Sequence, residues 1–211
     1  MSTYSPPTIA VEVVLATLKD NQLVLGLKKF DFDSSALRGS QSPELTGMVC
    51  ASLNGCGIVA TLVEPLTPWA AKRDEGMQVT LPFLAMVRPD MLGDDSFEFQ
   101  ATWAVSTGFN ERPPAGGLGP STHRAMDLLK SLCCSSSVTA HMLPEKFTLA
   151  QFRSAIQVFS TVAVDSANFR RKILKQEILL PSDISKGRGR PAQTYTLKQP
   201  DSLTRFDRWV A

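Results

Sequence analysis

Residues 165–175 read Asp-Ser-Ala-Asn-Phe-Arg-Arg-Lys-Ile-Leu-Lys, and residues 186–191 read Lys-Gly-Arg-Gly-Arg-Pro. The first stretch predicts a helix that Asp165 can cap. Phe169, Ile173 and Leu174, with Ile178, supply an inward face. Asn168, Arg171, Lys172 and Lys175 recur at i, i+3, i+4 and i+7 and so share a different face. Arg and Lys bond guanine edges or phosphates, and Asn can bond adenine through two hydrogen bonds, so this face suits a DNA groove. Arg170 falls at its shoulder, where a phosphate contact is expected rather than a base contact. The second stretch spaces Lys186, Arg188 and Arg190 with glycines at the tip of a hairpin. Its strands begin at residues 178–180 and return through residues 193–197.

Upstream, Leu149, Phe152, Ile156 and Phe159 are spaced three and four apart, one buried stripe on a helix that Thr148 can cap. Helix, helix and a two-stranded basic wing follow one another in the order of a winged helix-turn-helix. A basic helix face alone is an ordinary solvated surface. The pairing of that face with a basic wing is what points to nucleic acid. Charge is divided the same way. Residues 1–140 hold ten Lys and Arg against fourteen Asp and Glu, a net −4. Residues 141–211 hold twelve against six, a net +6, although the whole chain carries only +2. The expected organisation is therefore two domains, 1–140 and 141–211, the second of them a reader of double-stranded DNA.

The front half reads as sheet with an internal helix, an α+β pattern. Residues 11–18 and 23–28 form two strands around a polar turn. Residues 44–53 predict a helix with Ser42 as cap, Pro43 at its first position and a stop at Asn54-Gly55. Residues 58–66, 79–87 and 97–105 read as further strands, with 72–76 as a charged loop. Gly116-Gly117-Leu118-Gly119 lies in a Pro- and Gly-rich loop and lacks the Gly-Lys-Ser/Thr ending of a phosphate loop. A helix capped by Ser121 or Thr122 then runs to about Leu132, and residues 133–137 read as the break between domains. No stretch has the length or purity of a membrane span, and residues 1–7 do not form a secretory signal. Cys50, Cys56, Cys133 and Cys134 form no C-x-x-C pair, and two histidines cannot complete a metal site, so reduced thiols in the cytoplasm are expected.

These residues resemble a known family. Residues 165–173, followed by Gly189-Arg190-Pro191-Ala192 and Tyr195, resemble the winged-helix end of Nudix-related transcriptional regulators of the NrtR type. Leu143-Pro144, Phe147, Thr148 and Leu149 match as well. In front, Ala10-Val11-Glu12-Val13-Val14, Leu23-Val24-Leu25, Arg73-Asp74 with Gly76, Trp103 and His123 stand in the order expected of a Nudix domain. The resemblance covers residues 8–197. It implies an N-terminal Nudix-like mixed-sheet α/β/α sandwich that senses an ADP-ribose-like nucleotide and a C-terminal winged helix that binds DNA. It also implies control, by repression, of NAD-related genes.

One departure matters. An active Nudix enzyme carries G-x5-E-x7-R-E-U-x-E-E-x-G-U, U being a bulky apolar residue, and its helix glutamates hold magnesium. Aligning Gly57-Ile58 with the end of that box puts Cys50 and Ala51 in place of Arg-Glu, and Asn54 and Gly55 in place of the paired glutamates. Between Arg38 and Ile58 the only carboxylate is Glu44, too little to hold a metal cluster. The expectation is a fold kept and a hydrolase lost: not an enzyme, with no metal and no cofactor. Arg38 and Trp69, a cation and an aromatic near the degenerate box, are the candidate ligand-binding residues. His123 is the one plausible base in this half. Dimerisation is expected because such readers bind paired half-sites. The alternative is a Nudix-type hydrolase of nucleoside-diphosphate-linked substrates with atypical metal ligands.

Overall fold

The computed structural model describes residues 7–19, 21–32, 42–74, 76–91, 103–105, 119–160, 163–185 and 191–206. Strands β1 (Thr8–Lys19) and β2 (Gln22–Phe30) form the hairpin, with Lys19 opposite Gln22. Asn21 takes φ 58° at the turn, a left-handed conformation that Asn tolerates better than most residues. On its other edge β1 runs parallel to β5 (Gly76–Val87). The far edge of β5 takes β3 (Ala60–Pro65) and β4 (Trp69–Arg73), both antiparallel, and β2 takes β6 (Trp103–Val105). The order is β3-β5-β1-β2-β6, with β4 beside β5.

Helices cover both faces of this sheet. Val11, Val13 and Leu15 pack with Val49, Leu53 and Ile58 on the side of α1 (Ser42–Gly55). Val14, Ala16 and Leu18 pack with Ala125, Met126, Leu129 and Leu132 on the side of α2 (Pro120–Leu132). A strand buried on both faces needs apolar residues at every position, which is why residues 11–18 read as an almost unbroken apolar run. The result is the α/β/α sandwich that the resemblance implies.

Several boundaries differ from the sequence reading. Helix α1 ends at Gly55, as its sequence expects, but the residue that turns the chain away is Gly57. The Ile58 amide donates to the Leu53 carbonyl and the Gly57 amide to the Asn54 carbonyl, each at 2.9 Å, while Gly57 takes φ 75°. This is a Schellman stop, sealed by the buried pair Leu53 and Ile58. Lys72 and Arg73 end strand β4 instead of lying in a loop. Of residues 97–105, the stretch 97–102 lies outside the described residues. The cap of α2 is Gly119, with Pro120 next, because Ser121 and Thr122 are inside the helix and buried. Residues 133–137 are no open break: Cys133, Cys134, Ser136 and Ser137 are buried.

A short 3-10 turn, Val138–Met142, follows with all five residues buried. Then come β7 (Phe147–Thr148), α3 (Leu149–Phe159), α4 (Ser166–Lys175), β8 (Leu179–Ser185) and β9 (Ala192–Leu197). The three strands order as β7-β9-β8. Strand β7, two residues long, is too short to show alternation in the sequence. Phe147, Phe152, Phe169, Ile173 and Tyr195 join Leu129 and Met142 in one continuous apolar cluster, so sandwich and winged helix share a core. Phe152 stands between Phe147 and Phe169 with centroids 5.5 and 5.7 Å away, both edge-on. The chain's tail closes the junction. The Ser137 amide donates to the Thr204 carbonyl and the Phe206 amide to the Ser135 carbonyl, each at 2.9 Å.

Candidate DNA interface

Both helices of the C-terminal part begin where their sequence dictates. Thr148 Oγ1 accepts from the Gln151 amide at 3.2 Å, and Gln151 Oε1 accepts in return from the Thr148 amide at 2.8 Å, a complete capping box. Asp165 Oδ1 accepts from the Asn168 amide at 2.7 Å. Val164, just before α4, is tied from α3. Gln157 Oε1 accepts from the Val164 amide at 2.8 Å, and Arg153 Nη1 donates to the Val164 carbonyl at 3.3 Å. These bonds fix where α4 starts and how it leaves α3.

Phe169 and Ile173 then anchor α4 inward. Asn168, Arg170, Arg171 and Lys175 are exposed, and Lys172 is half-buried. The outward face is therefore turned by about one residue from the reading of the sequence. Arg170 belongs to it fully, and Lys172 takes the shoulder. Leu174, placed inward by its spacing, stands 38% exposed. The cause lies on α3: Phe152 meets Phe169 edge-on and draws that side of α4 to the core, leaving Leu174 off the contact line. Across one turn, Arg171 Nη2 donates to Asn168 Oδ1 at 3.2 Å.

Lys186, Arg188 and Arg190, the wing-tip cations, lie outside the described residues. The strands that lead to them are placed. The β8–β9 register shifts between Pro181 and Ile184, a bulge that leaves the Ser182 and Asp183 carbonyls out of the ladder. Side chains of β9 recover them: Gln193 Nε2 donates to the Ser182 carbonyl and Thr194 Oγ1 to the Asp183 carbonyl, each at 2.6 Å. The Asp183 side chain pairs with Lys146. The base of the wing is thus held at both strands.

In the sandwich, the exposed face of α1 carries Glu44, Gly47, Ala51 and Asn54, a single carboxylate. Among the described residues no group of three or more His, Cys, Asp and Glu could hold a metal ion. Of the two ligand candidates, Arg38 lies outside the described residues. Trp69 is half-buried on β4, and its indole Nε1 donates to Ser121 Oγ at 3.0 Å. Ser121 Oγ in turn donates at 2.6 Å to Oε2 of the buried Glu12, whose Oε1 faces Lys29 Nζ at 3.5 Å. Glu12, buried on β1, is the centre of this polar cluster, a role that no local motif signals. His123 is exposed, with Nδ1 3.2 Å from the Gly119 carbonyl.

At the junction, His141 is almost fully buried, and Nε2 lies 3.2 Å from Ser137 Oγ. Burial drives its pKa down to about 4, against the opposing pull of the Ser202 backbone and the Asp201 charge. A cavity of about 180 Å³ opens beside it, lined by Thr61, Arg88, Glu145, Phe147 and Leu197. No helix among the described residues is long and apolar enough to cross a membrane.

The arrangement defines a class of fold: a mixed-sheet α/β/α sandwich joined through a shared core to a winged helix. Residues 139–197 match the family described as the NrtR DNA-binding winged helix domain. The crystal structure of Shewanella oneidensis NrtR has the same fold over 95% of this chain and 98% of its own, with 21% identity and a TM-score of 0.73. The same protein complexed with a 27mer DNA matches over the same shares, with 22% identity and a TM-score of 0.72. Its NUDIX domain complexed with ADP ribose aligns over only 39% of this chain, at a TM-score of 0.29, too little to place a ligand here. No curated protein matches the chain. Residues 139–197 thus match the NrtR winged-helix family, and the chain as a whole has the fold of the Shewanella oneidensis protein, as the sequence resemblance implies.

Proposed function

We propose that the chain is a DNA-binding transcriptional regulator, a repressor that acts as a homodimer in the cytoplasm. Residues 141–211 make the DNA contacts, and residues 1–140 sense a nucleotide-type effector such as ADP-ribose, with NAD-related genes as the targets. The observation that carries this reading is helix α4, capped at Asp165 and turning Arg170, Arg171 and Lys175 outward on a domain of a DNA-binding family. Asn168, Lys172 and the wing cations Lys186, Arg188 and Arg190 complete the proposed contact set. Base contacts come from α4, and the wing grips phosphates. In solved structures the NrtR of Shewanella oneidensis is seen with DNA and, through its NUDIX domain, with ADP ribose. For this chain Arg38 and Trp69 are the proposed effector contacts. Effector binding would favour one arrangement of two paired winged helices over another.

The sandwich performs no hydrolysis in this reading, because a lone Glu44 on the outer face of α1 cannot assemble the charge that a diphosphatase needs. The test is fluorescence anisotropy with the gene's own upstream duplex, with and without ADP-ribose, beside a magnesium-dependent turnover assay. Selective binding that ADP-ribose weakens, with no turnover, is the expected result. Turnover abolished by Glu44→Gln would establish the hydrolase instead.

A further inference from the structure

Helix α4 exposes more than cations. Ala167, Arg170, Arg171, Leu174 and Lys175 are all exposed and recur at i, i+3, i+4, i+7 and i+8, the outermost stripe of the helix. Within it Ala167 and Leu174 are apolar, and they stand seven residues apart, about 10 Å along the axis. That distance spans about three base-pair steps. Leu174 is 38% exposed although the neighbouring Ile173 is wholly buried. Three cations surround these two side chains, so an apolar protein surface would have to desolvate Arg170, Arg171 and Lys175 to cover them. A partner that fits must be polyanionic and yet offer isolated apolar groups at base-pair spacing. The major groove meets both demands, because the thymine 5-methyl is its one apolar projection.

We propose that Leu174, with Ala167, reads thymine methyl groups in the major groove, on either side of the base pair that Arg171 contacts. The inference rests on the DNA-binding reading above and adds to it the kind of sequence recognised: thymines flanking a central guanine contact. Leucine supplies the larger methyl-bearing surface, so it carries most of the preference.

The full chain is used to select a duplex from a random-sequence library, and the selected duplex is remade with deoxyuridine in place of thymidine. This removes each 5-methyl and leaves phosphates and base pairing in place. One buried methyl is worth about fourfold in affinity. The wild-type chain is expected to bind the deoxyuridine duplex at least about fourfold more weakly. Leu174→Ala should bind the thymidine duplex more weakly by a similar factor and lose most of the difference between the two. The variant should fold, since Ala is the better helix former at an exposed position, and circular dichroism checks this. Equal wild-type affinity for both duplexes, or an undiminished preference in Leu174→Ala, overturns the proposal. So does a shift of the variant toward monomer in light scattering, which would place Leu174 between two copies of the chain. If the wild-type chain selects no duplex at all, the DNA-binding reading itself falls, an outcome distinct from loss of methyl preference alone.

Discussion

Arg171 Nη2 lies 3.2 Å from Asn168 Oδ1, a hydrogen bond across one turn of α4. The bond engages one of the two lone pairs of Asn168 Oδ1, the atom that accepts in a two-bonded contact to adenine, and it brings the guanidinium beside the amide. In the proposed interface Asn168 therefore also orients Arg171. Arg171→Ala should cost about 1–3 kcal/mol on the selected duplex and relax selectivity at one base pair. Asn168→Ala should relax the same position, and the double variant should lose less than the two single losses combined. Anisotropy titrations of the four proteins close this cycle.

Wing cations should behave differently. Arg188→Ala and Arg190→Ala are expected to weaken binding to selected and random duplexes alike. Each should reduce the slope of log affinity against log salt by about 1. Titrations at several salt concentrations separate this pattern from the selective loss at Arg171.

Thr61 Oγ1 lies 2.7 Å from the His141 carbonyl and 3.0 Å from that of Met86, linking the sheet edge to the turn before the winged helix. With the apolar cluster running through the same place, the two parts should melt together. Phe152→Ala, at the centre of the aromatic row, should lower stability by about 3–5 kcal/mol. Circular dichroism and tryptophan fluorescence are expected to report the same single transition, shifted for both.

His141 sets a pH dependence. Its folded pKa of about 4 lies below the ordinary value of 6.5, so the unfolded chain takes up the proton first. The folded state keeps its full stability above pH 6.5 and loses it as pH falls toward 4. The loss reaches on the order of 3 kcal/mol. Urea unfolding between these pH values should show that slope in the wild type, and His141→Gln should flatten it.

Sequence alone determined the features whose partners lie within a few residues. The caps at Thr148 and Asp165, the hairpin of β1 and β2, and the wing strands follow from short-range geometry, and the structure has each of them. The single carboxylate of α1, Glu44, was legible for the same reason, since it is a count of side chains within one segment. Tertiary contacts decided the rest. Whether Arg170 or Lys172 stands on the outward face of α4 depends on how Phe169 meets Phe152, a residue on another helix, and helical spacing cannot supply that rotation. Glu12 finds its partner in Ser121, 109 residues away, and the stretch read as a break is buried under the chain's own tail. Periodicity gives the direction of a face only to within about a residue. The exposure of Leu174 was set within that margin, by packing against a neighbour that no local pattern encodes.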